Sequence, residues 1–263
     1  MLIKAKTLNG YKLNGSDGDI GKIKDFYFDD RHWAIRYLIA ETGNWLTEKQ
    51  VLISPWAFGG IDKKKKHINV NLTKKQIEDS PPLSSDKPVS RQFEMDYYAY
   101  YGWPMYWSGR NMWGDSPHIE RRNLQKMEAA MTDNSWNPNL RSTHNVDGYR
   151  IQANDGDIGH VDDFIIDDDA WAIRYLVIDT RDWLPGKKVL ISPHWVESID
   201  WSESRVSINL SREKIEGSPE YTDESLPSRE YEIKLHRHYK HPGYWETGHD
   251  SKEQSNSKSS EEI

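Results

Sequence analysis

A local cluster of histidines near the C-terminus could bind a transition metal through imidazole nitrogens. It comprises His236, His238 and His241, with His249 beyond them. If this segment is helical, His236 and His238 lie on different faces, because side chains two positions apart on a helix do not face each other. We therefore predict no metal site here.

Two runs of aspartate could instead bind a hard cation, since clustered carboxylates are the ligands that calcium and magnesium prefer. The runs are Asp29-Asp30 and Asp167-Asp168-Asp169. Their spacing does not match the loop of an EF-hand. A solvated hairpin turn between two strands explains both runs without a metal.

The sequence contains no residue set that is typical of an enzyme. Cysteine is absent, which excludes disulfides, thiolate nucleophiles, iron–sulfur clusters and cysteine-type zinc sites. We find no nucleophile paired with a base and no phosphate-binding loop. The segment 17–21 (Asp-Gly-Asp-Ile-Gly) lacks the following helix that a dinucleotide loop requires. We predict a protein that is not an enzyme and needs no cofactor.

Charge and hydropathy restrict the partners. The net charge is −7, the isoelectric point is about 5.8 and the mean hydropathy is −0.89, so nucleic acid is not an expected partner. No stretch approaches the roughly 18 apolar residues that span a bilayer, so we expect no direct membrane insertion. Residues 1–6 lack the apolar core of an export signal, and we expect a cytoplasmic protein.

An internal repeat organises the chain. Shifting the sequence by 138 positions aligns its two halves without a gap. The matching segments are 10–11 with 148–149, 17–21 with 155–159, 33–38 with 171–176, 51–55 with 189–193, and Tyr101, Pro104 and Tyr106-Trp107 with Tyr239, Pro242 and Tyr244-Trp245. A match of this length indicates two copies of one domain.

Each copy has the pattern of a small β domain. Short β-branched and aromatic runs alternate with Gly, Asp, Asn and Pro, which predicts about five strands per copy, in the first near 11–13, 21–28, 34–41, 49–54 and 67–72. In the last of these, Ile68, Val70 and Leu72 share one face, so that face is buried and the other is solvated. Glycines 18 and 21 predict positive-φ turns or a bulge that bends the strand sharply.

Short helices follow the strands of each copy. Thr73 and Gln76 form a capping-box pattern, and Pro81 ends that helix. Ser90 is the predicted cap of a second helix with the aromatic stripe Phe93, Tyr97 and Tyr101, repeated as Tyr231, Leu235 and Tyr239. We expect this stripe to pack in the core. Trp33, Trp45, Trp171 and Trp183 are also expected to be buried.

These patterns divide the chain into four parts. Residues 1–107 form repeat 1 with its helical extension, and residues 139–245 form repeat 2 with its own. Residues 108–138 have no counterpart and form a linker with a short helix over 121–130. Residues 246–263 are Ser, Lys, Glu and Gln with few apolar side chains, which predicts a disordered tail.

The sequence resembles the PRC-barrel family. The resemblance rests on Gly18-Asp19-Ile20-Gly21, Asp25-Phe26, the acidic turn and Ile35-Arg36-Tyr37-Leu38-Ile39, and on their counterparts from Gly156 to Val177. The family is named for the cytoplasmic domain of the photosynthetic reaction-centre H subunit and is similar to the C-terminal domain of a ribosome maturation factor. The resemblance implies a mainly β protein with two tandem small, strongly bent barrels, each followed by short helices.

Several residues remain to be assigned. Arg36 and Arg174 lie in apolar strands, where an unpaired guanidinium is costly, so we predict structural ion pairs with Asp25 and Asp163. Lys63 to Lys66 has no basic counterpart in repeat 2, and we read it as a solvated turn.

The end segments are candidate contacts with a protein partner. Aromatics beside proline suit protein contacts, because they add apolar area while losing few rotamers. Two uses compete, closure of one barrel against the other or contact with another protein. The residues are Trp103, Pro104, Tyr106, Trp107, Pro242, Tyr244 and Trp245.

Three functions follow from these features. The first is a scaffold or adaptor that binds a protein partner, or a second copy of itself, through its barrels. The second, implied by the resemblance, is an accessory subunit of an electron- or proton-transfer membrane complex. The third is a metal-dependent enzyme that uses the Asp or His clusters.

Overall fold

The structure is a computed structural model, and it describes residues 1–46, 51–81, 89–107, 140–181, 183–184, 186–223 and 225–246. The helix predicted over 121–130 and the tail predicted beyond residue 246 lie outside these ranges. The described residues form two compact units. The first comprises Met1, the described part of 3–147, and 163–174, and the second comprises Leu2, 148–162 and the described residues from 175 onward.

Repeat 1 is mainly β. Its strands are β1 (Leu2–Lys4), β2 (Lys12–Gly15), β3 (Gly18–Asp29), β4 (Ala34–Glu41), β5 (Val51–Ile53), β6 (Phe58–Asp62) and β7 (His67–Val70). They pair in the order β6-β7-β2-β3-β4-β5. Only β2 and β7 are parallel among these neighbours. Its helices are α1 (Ala5–Leu8), α2 (Lys74–Glu78) and α3 (Arg91–Tyr101).

Repeat 2 contains the same series of elements. Its strands are β8 (Leu140–Ser142), β9 (Arg150–Ala153), β10 (Gly156–Asp167), β11 (Ala172–Asp179), β12 (Lys188–Ile191), β13 (Val196–Asp200) and β14 (Arg205–Ile208), and its helices are α4 (Thr143–Val146), α5 (Arg212–Glu216) and α6 (Arg229–Tyr239). The pairing order β13-β14-β9-β10-β11-β12 matches that of repeat 1. In both repeats the described strands form an open path, so closure into a barrel stays a prediction.

Two strands per repeat were missing from the sequence prediction. The first, β1 and its counterpart β8, has three residues and no alternation to detect. The second is β6, in which Gly59 and Gly60 have low strand propensity, and its counterpart β13, in which the adjacent polar residues Glu197 and Ser198 interrupt the alternation. The five strands that were predicted are all present, with ends shifted by a few residues.

The glycine prediction is confirmed at Gly21 and Gly159. Both have positive φ, 144° and 140°, and the register of β3 on β2 and of β10 on β9 shifts at these residues. A Cβ atom would lie 2.0 Å from the Glu41 carbonyl oxygen at Gly21 and 1.9 Å from the Asp179 oxygen at Gly159. Glycine is therefore required here because the next strand approaches the backbone too closely for a side chain.

Part of repeat 2 is built into the first unit. Strand β8 pairs antiparallel with β3, placing Ser142 opposite Tyr27, and Ala172 lies opposite Ala34. The Phe28 and Phe164 rings are 5.8 Å apart. The segments 140–147 and 163–174 thus belong to the same compact unit as repeat 1.

Local sequence signals determine the helix starts. The Thr73 hydroxyl oxygen accepts a hydrogen bond from the Gln76 amide, and the Gln76 side chain accepts one from the Thr73 amide. These two bonds form the predicted capping box of α2. Ser90 caps α3 through the Phe93 amide, and Ser228 caps α6 in the same way. Each cap satisfies an amide that the helix itself leaves without a partner.

The predicted core is largely present. Ile68, Val70 and Leu72 are buried, as are Trp33 and Trp171, whereas Trp45 and Trp183 are half-buried. In the helical stripes, Tyr97, Leu235 and Tyr239 are buried, whereas Phe93, Tyr101 and Tyr231 are half-buried. Among the described helices, none combines the length and the apolar composition that crossing a bilayer requires.

Candidate functional site

The end segment of repeat 1 folds back onto helix α3. The helix ends at Gly102, which has a left-handed conformation with φ 67°, so the chain reverses direction there. Trp103 stacks on Tyr101 at 4.4 Å between ring centroids, and Tyr106 is buried against Tyr98. The segment is therefore part of the packing of its own repeat.

A buried carboxylate holds this segment in place. Glu94, on α3, is 0% exposed. Its Oε1 accepts hydrogen bonds from the hydroxyls of Tyr37 at 2.9 Å and Tyr106 at 2.7 Å, and Arg91 Nη1 lies 3.0 Å from its Oε2. We call Tyr37, Arg91, Glu94 and Tyr106 the tyrosine–glutamate cluster of repeat 1. It joins strand β4, helix α3 and the end segment.

Repeat 2 contains the same cluster at positions 138 residues later. Tyr175 and Tyr244 donate to Glu232 Oε1 at 3.0 and 2.9 Å, and Arg229 Nη1 lies 3.0 Å from Glu232 Oε2. Three donors per carboxylate satisfy most of its acceptor capacity, as a buried charge requires. The agreement of all four residue types and contacts identifies the cluster as a common structural element.

The tyrosines act as neutral donors. Burial and the nearby Glu94 charge raise the pKa of Tyr37 and of Tyr106 well above the usual value for a phenol. Burial and the Glu232 charge raise the pKa of Tyr175 likewise. Burial, with the hydrogen bond to Glu232, raises the pKa of Tyr244 to about 12. Each hydroxyl therefore stays protonated and can donate a hydrogen bond to the carboxylate.

The arginine of each cluster also fixes the last tryptophan. The Arg91 guanidinium carbon lies 4.1 Å from the centroid of Trp107, and that of Arg229 lies 4.2 Å from Trp245. This geometry is a cation–π contact. Both tryptophans remain half-buried, and Pro104 and Pro242 are exposed. The end segments thus present aromatic surface in a fixed position.

Sequence reasoning missed the two glutamates. They lie on helices with an apolar stripe, and a carboxylate on such a helix is normally expected to be solvated. The detectable signal is the repeat itself, because Ser-Arg-x-x-Glu occurs at 90–94 and again at 228–232. A carboxylate kept at one position of both copies of an aromatic helix indicates a buried partner.

The predicted ion pairs named the wrong carboxylates. Arg36 Nη2 lies 3.3 Å from Asp29, and Arg174 Nη2 lies 2.8 Å from Asp167. These aspartates are seven residues before each arginine, across the β hairpin. Arg36 is 1% exposed, and its guanidinium carbon lies 4.1 Å from the Tyr106 ring centroid.

Asp25 and Asp163 serve as helix caps instead. Asp25 Oδ1 accepts from Thr143 Oγ1 at 2.8 Å and from the His144 amide at 3.1 Å, both on α4. Asp163 Oδ1 accepts from the Lys6 amide on α1 at 3.1 Å. Each aspartate thus caps the first helix of the opposite repeat within the first unit, a long-range role that the hairpin spacing does not reveal.

The two aspartate runs lie at hairpin turns, as predicted, but Asp29 is not solvated. It is 6% exposed, and its Oδ1 accepts from the Arg31 amide at 2.8 Å. Burial opposes ionisation of Asp29, but the Arg36 charge and the Arg31 amide outweigh it, so the pKa is below its usual value. A buried carboxylate with these partners stabilises the tight turn.

The aspartates of repeat 2 lie close together. Ligand oxygens of Asp167, Asp168 and Asp169 are within 4.8 Å of one another. Each carboxylate contacts a cationic group of the chain. Arg174 forms an ion pair with Asp167, Lys63 Nζ lies 3.5 Å from Asp168, and the Met1 amino group lies 2.8 Å from Asp169. These contacts account for the cluster without a bound ion.

The histidines do not form a comparable group. Within the described ranges, the three aspartates are the one set of three or more metal-type side chains whose ligand atoms lie that close. His236 donates from Nδ1 to the Pro242 carbonyl at 2.8 Å, and its Nε2 lies 3.0 Å from the Tyr175 hydroxyl, which also contacts Glu232. His238 Nε2 lies 2.6 Å from the Lys214 carbonyl. His249 lies outside the described residues.

The remaining predictions concern surface features. Lys63 to Lys66 forms a turn with its last three lysines exposed, which confirms the solvated turn. A shallow concavity of about 430 Å³ lies beside Trp45, where Lys22 and Lys74 alternate with Asp19 and Glu41. Because the rim carries both positive and negative side chains, it favours neither an anionic nor a cationic ligand, and we assign this concavity no function.

Comparison with known proteins agrees with the repeat. The family model for the PRC-barrel domain matches residues 3–77 and again 138–215, which together make up more than half of the chain. The chain belongs to the PRC-barrel family. Both PRC-barrel matches end before α3 and α6, so Glu94, Glu232 and the end segments lie outside them.

One relative is similar over a short part of the chain. An "Uncharacterized protein" of Deinococcus radiodurans is 30% identical over 84 residues, which make up 32% of this chain and 30% of that protein. The match therefore spans less than a third of the relative's length, and its name assigns no activity. The reaction-centre-like role and the cellular location stay predictions.

Proposed function

We propose that this PRC-barrel protein is a non-enzymatic scaffold that binds a protein partner through its two end segments. The observation that carries the proposal is the duplicated tyrosine–glutamate cluster. In both repeats it fixes a Pro-x-Tyr-Trp segment that lies outside the PRC-barrel match, with an exposed proline and a half-buried tryptophan.

A fixed aromatic surface is suited to association. Binding normally loses the entropy of side chains that become immobile at the interface. Trp107 and Trp245 are already held by Arg91 and Arg229, so less entropy is lost when a partner covers them. Tryptophan and arginine are also the residue types that dominate binding energy at protein interfaces.

The use of the acidic side chains favours a structural role over catalysis. A catalytic carboxylate must come within hydrogen-bond distance of a substrate. Glu94 is fully buried and Glu232 is 2% exposed, and both are surrounded by donors from their own repeats. These groups therefore hold the end segments in place, which is the role expected of a scaffold.

Crosslinking mass spectrometry in the native cell tests the proposal. We expect crosslinks from lysines near the end segments, such as Lys240, to one recurrent partner protein or to a second copy of the chain. Pro104→Glu with Pro242→Glu changes only exposed residues and should reduce these crosslinks at least tenfold. Leu226→Glu, at a leucine that is 39% exposed elsewhere, is the matched control and should leave them unchanged. Equal crosslinking in all three proteins would overturn the proposal.

A further inference from the structure

We propose that repeat 2 contains a binding pocket for a small phenol-type ligand, located where repeat 1 is filled by its own aromatic side chains. The pocket is a cavity of about 220 Å³. Its lining includes Ser192, Trp195, His236, His241, Gly243 and Tyr244. The pocket shares Pro242 and Tyr244 with the end segment of repeat 2, but the proposal concerns a small ligand and one repeat, so it does not require the scaffold function.

Comparison of equivalent positions shows how the pocket arises. At four aromatic positions of repeat 1, repeat 2 has histidine, and at one methionine it has glycine. The pairs are Trp56 with His194, Tyr98 with His236, Tyr100 with His238, Trp103 with His241, and Met105 with Gly243. Smaller side chains at 236 and 241 leave space next to the end segment, whereas at Gly243 the Trp245 ring takes the place of a side chain, 2.3 Å from an added Cβ.

Trp195 forms one wall of this space. Its counterpart in repeat 1 is Ala57. The Trp195 ring stacks on His241, with 5.3 Å between centroids and 21° between planes, and its edge meets His236 at 5.1 Å. One wall of the pocket is therefore aromatic, and a ligand ring can pair with such a wall edge to face as well as by stacking.

The Ser192 hydroxyl supplies a hydrogen-bonding group at the wall of the pocket. In repeat 1, the equivalent Ser54 hydroxyl lies 3.3 Å from the Tyr98 hydroxyl and caps the Trp56 amide. Ser192 is 4% exposed, lines the cavity, and makes no such cap. His236, the counterpart of Tyr98, has its two ring nitrogens at the Pro242 carbonyl and the Tyr175 hydroxyl, so it does not replace the Tyr98 hydroxyl as a partner of Ser192.

Repeat 1 indicates the chemistry of the ligand. There, the Tyr98 phenol provides both the ring and the hydroxyl that meets Ser54. Repeat 2 retains the serine but has lost the phenol. Ligand pockets for drug-sized molecules are usually about 300–1,000 Å³, so this cavity suits a single ring. A phenol satisfies Ser192 and packs on the aromatic walls at the same time.

The test compares two probes on the full-length chain. The probes are p-cresol, which carries the hydroxyl, and toluene, which has nearly the same shape without it. We expect saturable p-cresol binding by calorimetry, and chemical-shift changes at Trp195 and His241 by NMR. Toluene should bind about tenfold more weakly, since one hydrogen bond contributes about 1–1.5 kcal/mol. Ser192→Ala should remove this preference, whereas Ser54→Ala in repeat 1 should leave it unchanged.

A substitution that fills the pocket provides a second, independent test. His241→Trp installs the residue of repeat 1 at an exposed position, so the fold should persist and p-cresol binding should be lost. Three results would overturn the proposal: no saturable p-cresol binding to the wild-type chain, equal affinity for both probes, or unchanged affinity in His241→Trp.

Discussion

The two repeats end in the same carboxylate cluster, but different side chains surround it. In repeat 1, Tyr97 and Tyr98 pack against Tyr37 of the cluster, and Trp103 packs against both. In repeat 2, His236 and His241 occupy two of these positions, and a cavity borders them. The hydrogen-bonded cluster is thus kept where the packing around it changes.

The physical reason lies in the cost of the two kinds of change. A buried carboxylate that loses a donor is left uncompensated, which costs several kcal/mol. An aromatic ring that becomes an imidazole loses packing, but the neighbours can rearrange. The cluster therefore tolerates little variation, whereas the filling residues can acquire a new use.

The largest expected effect comes from removing the buried carboxylate. Glu94→Ala leaves Arg91, Tyr37 and Tyr106 without their shared acceptor and should lower the free energy of unfolding by about 3–5 kcal/mol. Glu232→Ala should cost less, about 2–3 kcal/mol, because the Arg229 side chain is 47% exposed and can turn to water. Urea unfolding with hydrogen exchange on each repeat measures both.

The matched control is Asp96→Ala, which removes an exposed carboxylate from the same helix. It should change the free energy of unfolding by at most about 0.5 kcal/mol. If Glu94→Ala has no larger effect than Asp96→Ala, then the cluster does not hold the end segment.

A second effect should be equal in both repeats. Gly21→Ala and Gly159→Ala each place a Cβ within 2.0 Å of a carbonyl oxygen of the neighbouring strand. Each should destabilise its repeat by about 3 kcal/mol, because the backbone must shift to relieve the overlap. Gly60→Ala is the control, since nothing lies within 4 Å of its added Cβ. Unequal losses would show that the two bulges are not equivalent.

The partner of Arg36 can be identified by a double-mutant cycle. The contact with Asp29 predicts a coupling energy of about 1–3 kcal/mol between Arg36→Met and Asp29→Asn. The same cycle with Asp25→Asn should give a smaller coupling, because Asp25 caps α4. Thermal unfolding of the single and double variants measures both cycles, and a larger coupling to Asp25 would restore the pairing predicted from sequence.

The smallest effect is a pH dependence confined to repeat 2. Burial lowers the pKa of His236 below its usual value of 6.5. Below that pH the unfolded chain binds a proton that the folded chain does not, so the free energy of unfolding falls as the pH decreases. The slope is at most about 1.4 kcal/mol per pH unit. Hydrogen exchange of repeat 2 between pH 7.5 and 5 measures it.

His236→Tyr, the residue of repeat 1, should remove this part of the acid dependence. His144→Gln, at an exposed histidine, should retain it. If the two variants have the same pH profile, then His236 does not account for the acid sensitivity.

Much of the fold was predictable because its signals are local or duplicated. The caps at Thr73 and Ser90 require only neighbouring residues, and the glycine bulge was recognisable because it occurs twice at the same place. Strand β6 was missed, since its two glycines conceal a strand that exists through pairing with β7. The partner of Arg36 was missed for a related reason: both Asp25 and Asp29 precede the hairpin, and only the strand register selects between them.

The sequence by itself determined the two copies, their β character, the helix caps and the place of the acidic turns. These features depend on spacing within a few residues, or on a repeat that reads directly as one residue against another. The tertiary structure decided the contacts of Asp25 with α4, the burial of Glu94 and Glu232, and the empty space beside Ser192. Each of these depends on side chains from distant parts of the chain. Their distances and orientations are fixed by the folded backbone and cannot be inferred from the local sequence around either residue.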